Sequence, residues 1–98
     1  MKALPEDSEL LGVAERTVWY KMPIDAVRDT SNFVAHVLTY GTAEDVAVVR
    51  RHLTLDDIRD ALREAPPGVF DARSWSYWNA MVGRFDTPPM PERKLPDL

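Results

Sequence analysis

Three groups of side chains in this sequence are of types that could do chemistry. Arg50-Arg51-His52 is the basic cluster inside the part expected to fold, and a cluster of that kind can meet a phosphate or a nucleic-acid backbone. The same residues close an apolar helical pattern, where cations favour the negative end of the helix dipole; that structural reading outweighs the ligand one. Asp56, Asp57 and Asp60 form an acidic group. Asp56 and Asp60 stand four apart, so their carboxylates share a helix face, but Asp56 and Asp57 fall in a first turn, where acids are common for electrostatic reasons. Calcium and magnesium sites recruit more oxygen ligands than such a pair offers, and a solvated face is expected instead of a metal. The third group is aromatic. Trp75 and Trp78 are three apart and share one face, as core residues do, whereas Tyr77 points elsewhere and is expected at the surface, where aromatics often carry binding energy.

The two histidines, His36 and His52, sit in neither a nucleophile elbow nor a zinc-protease motif. His36 falls on the polar side of its helical pattern and is expected to be exposed. The four glycines are scattered and form no phosphate-cradling loop. These residues therefore point to neither an enzyme nor a cofactor. A net charge of −4 gives no general reason to expect a polyanion as partner, and without cysteine there is neither a disulfide framework nor a thiolate metal site. The apolar runs are too short to span a membrane. The first residues turn acidic where a signal peptide would need an apolar run, so a cytoplasmic protein is expected.

With 98 residues the chain suits one domain with a modest core. Ser8 is a candidate cap for a helix reaching Arg16, weakened by Gly12. Thr17-Val18-Trp19-Tyr20 is β-branched and aromatic and favours an extended piece. Pro23 disfavours a helical Met22, so this stretch is expected to lie across the helices with Trp19 plugging the core. From Asp29 the signals sharpen. Asp29-Thr30-Ser31-Asn32 offers capping side chains, Phe33, Val34, Val37 and Leu38 share a face, and Gly41 occupies the place where a left-handed residue commonly ends a helix. Thr42 with Asp45, and Thr54 with Asp57, have the spacing of capping boxes. They predict a helix carrying Val46, Val49 and Leu53 inward and another carrying Leu55, Ile58 and Leu62. Pro66-Pro67-Gly68 stops the second, and a last helix starting at Asp71 or Ser74 turns Trp75, Trp78, Met81 and Val82 inward before Gly83. The expectation is an all-α, compact bundle of four to five short helices over residues 1–85, with an extended N-terminal segment. A Pro-rich tail, 86–98, follows and holds Pro88, Pro89, Pro91 and Pro96.

The order of residues from Trp19 to Trp78 resembles a family of small bacterial proteins of unknown function. Its members are often encoded beside nucleotidyltransferases of the AbiEii toxin type and are regarded as antitoxins. Val18-Trp19-Tyr20 matches an early aromatic segment, and Val37-Leu38-Thr39-Tyr40-Gly41 an aliphatic-Tyr-Gly helix end. Glu44-Asp45 matches an acidic helix start, followed by Arg50-Arg51-His52, the Ile58 to Leu62 helix and the Ser74 to Trp78 helix entry. Tyr20 stands where the pattern has an acid. The resemblance covers about two-thirds of the chain and implies an antitoxin that neutralises a partner nucleotidyltransferase toxin by direct contact; it carries no catalytic residues with it. Arg50, Arg51, Tyr77, Pro88, Pro89 and Met90 are the candidate partner-binding residues. A DNA-binding autorepressor using the 43–65 helix pair is the alternative, although the acids of its second helix oppose entry among phosphates. A homodimeric module joined through an aromatic patch is a third reading.

Overall fold

The structure is a computed structural model that describes residues 1–92, and among these all regular structure is helical. Six helices follow one another: α1 (Ser8–Thr17), α2 (Pro23–Arg28), α3 (Thr30–Tyr40), α4 (Ala43–Arg50), α5 (Leu55–Arg63) and α6 (Ala72–Met81). The expected all-α class holds, with one helix more than the upper number expected.

The added element is α2. Pro23 is its first residue, a position whose backbone N–H has no intrahelical partner in any case and for which the fixed proline φ is pre-organised. The proline therefore opens a helix where it was expected to prolong an extended segment. Val18 closes α1, and Trp19 and Tyr20 make a tight turn into α2. In that turn the Trp19 side chain is 69% exposed, so it does not plug the core. Asp29 serves two helices, as the last cap of α2 and the first of α3.

The other helix ends show why the sequence signals were strong. Asp7, one residue before the expected Ser8, caps α1 by accepting from the Leu10 amide at 2.9 Å. Both capping boxes close. The Asp45 amide donates to Thr42 Oγ1 at 3.2 Å while the Thr42 amide donates to Asp45 Oδ2 at 3.2 Å; Thr54 and Asp57 repeat the exchange at 3.2 and 2.8 Å. Asp71 caps α6 through the Ser74 amide at 2.7 Å. Gly83, with φ +87°, supplies the left-handed residue after α6. Gly41 does not: its φ of −70° is open to any residue. Glycine is needed there because a Cβ would lie 2.6 Å from the Val37 carbonyl oxygen.

Helix α3 is the central post. It packs against all five others, and Phe33, Val34, Ala35, Val37 and Leu38 are all buried, as befits a helix that is covered on most sides. Around it stand Leu10 and Val13 of α1, Val27 of α2, Val49 of α4, Ile58 and Leu62 of α5, and Trp75 and Trp78 of α6. Trp78 Nε1 donates to the Leu38 carbonyl at 3.0 Å, which satisfies the indole N–H inside the core. Leu55 and Met81, expected inward, lie at the exposed edges of their helices.

After α6 the chain turns through Thr87, at φ +39°, and returns to the body. Trp75 Nε1 donates to the Pro88 carbonyl at 2.7 Å, and Met90 packs partly buried against the core. The remainder of the expected tail, 93–98, lies outside the described residues.

Candidate interaction surface

Four rings gather where the α1–α2 turn meets α3. Trp19 touches three of them edge to face or nearly so: Tyr20 at 5.8 Å between centroids, Tyr40 at 5.9 Å and the His36 imidazole at 6.4 Å. His36 lies between the two tyrosines, 5.5 Å from Tyr20 and 5.9 Å from Tyr40. Edge-to-face contacts at these separations are the favoured geometry for aromatic pairs.

The base of this group is polar and buried. His36, expected at the surface, is 4% exposed. Its Nδ1 lies 2.8 Å from the Asn32 carbonyl oxygen. A carbonyl only accepts, so Nδ1 carries a proton, and in the neutral imidazole Nε2 is then an acceptor. The Tyr20 hydroxyl, 3.2 Å away, then donates to Nε2, and the Asn32 side-chain amide donates to the same hydroxyl at 3.2 Å. The result is a closed loop of Asn32, Tyr20 and His36 that fixes the turn from below. Above it, Trp19, Tyr20 (55% exposed) and Tyr40 (53%) present ring surface to solvent, and the Tyr40 hydroxyl is tethered to the Val69 carbonyl at 3.4 Å. Neither Trp19 as a surface residue nor His36 as its support followed from periodicity. The signal was local: adjacent aromatics three and four residues before a helix-opening proline occupy a turn, and this turn does not bury both.

The six residues expected to bind a partner are spread over three places. Arg51 holds Glu9 of α1 through Nη1, at 3.0 and 2.8 Å from its two oxygens, so it ties helices together at the surface. Pro88, Pro89 and Met90 lie against Trp75 and the core. Arg50 and Tyr77 are exposed, and Tyr77 stacks edge-on against Trp78 at 5.2 Å.

Tyr77 also walls a groove of about 390 Å³. α4 and α6 both pack on α3 without packing on each other; Ala43 and Val46 form one wall, Arg73 and Tyr77 the other, and the buried Leu38 and Trp78 side chains the base. α4 and α5 likewise pack on α3 but not on one another, unlike the paired helices of a helix-turn-helix.

An ion pair between the buried Asp45 and the exposed Arg16 braces the α1–α4 side. Asp45 is 2% exposed and accepts from Arg16 Nε at 3.1 Å in addition to its capping bonds. Burial pushes its carboxyl up, but the Arg16 guanidinium and the Thr42 amide prevail and hold it below the ordinary aspartate value. Among the described residues no three histidine, aspartate or glutamate side chains converge as a metal site requires. Asp56 and Asp60 instead face Arg59 and Arg63 at 3.6 and 3.7 Å. Among the described residues no helix is long and apolar enough to cross a membrane.

Comparison with known proteins finds no matching family model, curated protein or solved structure.

Proposed function

We propose that the protein is a cytoplasmic binding module whose partner is another protein, docked through Trp19, Tyr20 and Tyr40. The observation that carries this reading is the braced aromatic cluster. An exposed tryptophan held by three neighbouring rings loses little side-chain freedom on association, so its buried area converts to affinity with a small ordering cost. A ring group serving only the core would have no need of its most exposed member.

The narrower reading is an antitoxin that covers a nucleotidyltransferase toxin by direct contact. It is supported by the resemblance that runs from Trp19 to Trp78, which includes Trp19 and Tyr40 of the cluster, and by the acidic net charge. Co-expression with the product of the adjacent gene tests it. The pair should co-purify and growth inhibition by the neighbour should be relieved. Trp19→Ala should weaken the complex by at least about tenfold, as loss of a central aromatic anchor does, with helix content and melting temperature close to the parent's. Absence of co-purification together with absence of relief defeats the antitoxin reading. Undiminished binding by Trp19→Ala defeats the assignment to this cluster.

A further inference from the structure

The groove between α4 and α6 has an apolar base and one guanidinium in its wall. Arg73 stands on the α6 wall. Arg50 follows Val46 by one turn on the same stripe of α4, and both arginines are exposed. Among the described residues neither has a carboxylate within ion-pairing distance, whereas Arg16, Arg28, Arg51, Arg59 and Arg63 all do. The acids nearest the groove in sequence are the exposed Glu44 and Asp71, whose Oδ1 accepts from the Ser74 amide and whose carboxyl feels the Arg73 charge from beyond ion-pairing distance. Asp45 is turned to Arg16 on the other side of α4. In a chain of net charge −4, three described arginines have no carboxylate at ion-pairing distance: Arg73 lines the apolar cleft, Arg50 stands one turn beyond its α4 wall, and Arg84 lies elsewhere, beside Trp75 and Pro88.

We propose that this groove binds an acid-flanked apolar segment of a partner protein. One or two aliphatic or aromatic side chains would seat on Leu38, Val46 and Trp78 against the face of Tyr77, with carboxylates on either side reaching Arg50 and Arg73. The volume of about 390 Å³ lies at the small end of the range for ligand pockets and suits an anchor residue or two. Apolar anchors supply affinity and the charges supply selection. This deepens the protein-binding reading at a second surface, and it rests on that reading but not on the aromatic cluster.

The test pans a random dodecapeptide library against the intact chain and maps the recovered peptides by amide chemical shifts of the isotopically labelled protein. Enriched peptides should carry apolar residues flanked by Asp or Glu, and should shift Ala43, Val46, Arg73 and Tyr77. Affinity should fall with added salt. Reversing both arginines, Arg50→Glu with Arg73→Glu, should cost about tenfold, the sum of two exposed charge pairs, and panning against that variant should no longer select acids. Circular dichroism provides its folding control. Panning against Trp19→Ala should recover the same peptides. Recovered peptides without acid preference, shifts centred on Trp19 and Tyr40, an empty selection, or concentration-dependent shifts of the groove amides without peptide would each overturn the proposal. The last result would mean that a second copy of the chain covers the groove.

Discussion

At the scale of single residues, the side chains that matter are those whose polar atoms are accounted for by distant partners. His36 reads in the sequence as a polar-face residue, and its burial depends on Tyr20, sixteen positions away. No periodicity encodes that pairing, because it is made by a turn. Tyr20→Phe should leave Nε2 without its donor in a buried place and cost about 1–2 kcal/mol, read as a lower urea midpoint at unchanged slope. Asp45 was legible as a helix start and not as an ion-pair partner; the Arg16 contact spans twenty-nine residues. Asp45→Asn keeps the shape and removes the charge, and should cost about 2 kcal/mol at neutral pH. Because the folded carboxyl is held below its unfolded value, the unfolded chain binds the proton more readily. The stabilisation is therefore complete above the ordinary aspartate pKa and disappears as pH falls through the lower folded value. Denaturation series from pH 6 down to pH 2 should show parent and Asp45→Asn converging at the acid end. A constant gap would contradict the pairing.

At the scale of elements, the helices with reciprocal caps were the most legible. Thr42 with Asp45 and Thr54 with Asp57 place both starts where the sequence puts them, since the caps act within four residues and need no tertiary context. The misreadings arose where one residue has two physical meanings. Pro23 ends an extended path as readily as it opens a helix, and what decides is whether the next apolar residues find a core; Ala26 and Val27 do. Gly41 reads in the sequence as a conformational need and is instead a need for space. Gly41→Ala should cost about 1–3 kcal/mol as an overpacked contact, because the atom it meets is a backbone oxygen at 2.6 Å that cannot swing aside. Thermal unfolding of that variant decides the point. Were the loss no larger than a few tenths of a kcal/mol, the close approach would not be limiting.

At the scale of the whole molecule, the arrangement is a post with five helices around it. The all-α class was readable because helical periodicity and stop signals recur along the chain. Which helices touch was not, and the candidate surfaces depend on that: the groove exists because α4 and α6 share α3 and miss each other. The return of 86–92 onto Trp75 was equally hidden, since proline content speaks to local conformation alone. Comparing a chain ending at Glu92 with one ending at Phe85 isolates that return. The shorter chain should lose about 1–3 kcal/mol from the Met90 packing and the indole hydrogen bond, seen as a lower melting temperature. The exposure of Trp19 has an optical consequence as well. Of three tryptophans, Trp75 and Trp78 are enclosed and Trp19 faces water, so iodide should quench one emitter of the native protein and spare the other two. The accessible fraction reports occupancy of the aromatic cluster directly, and the unmodified chain carries its own gauge of when a partner has arrived.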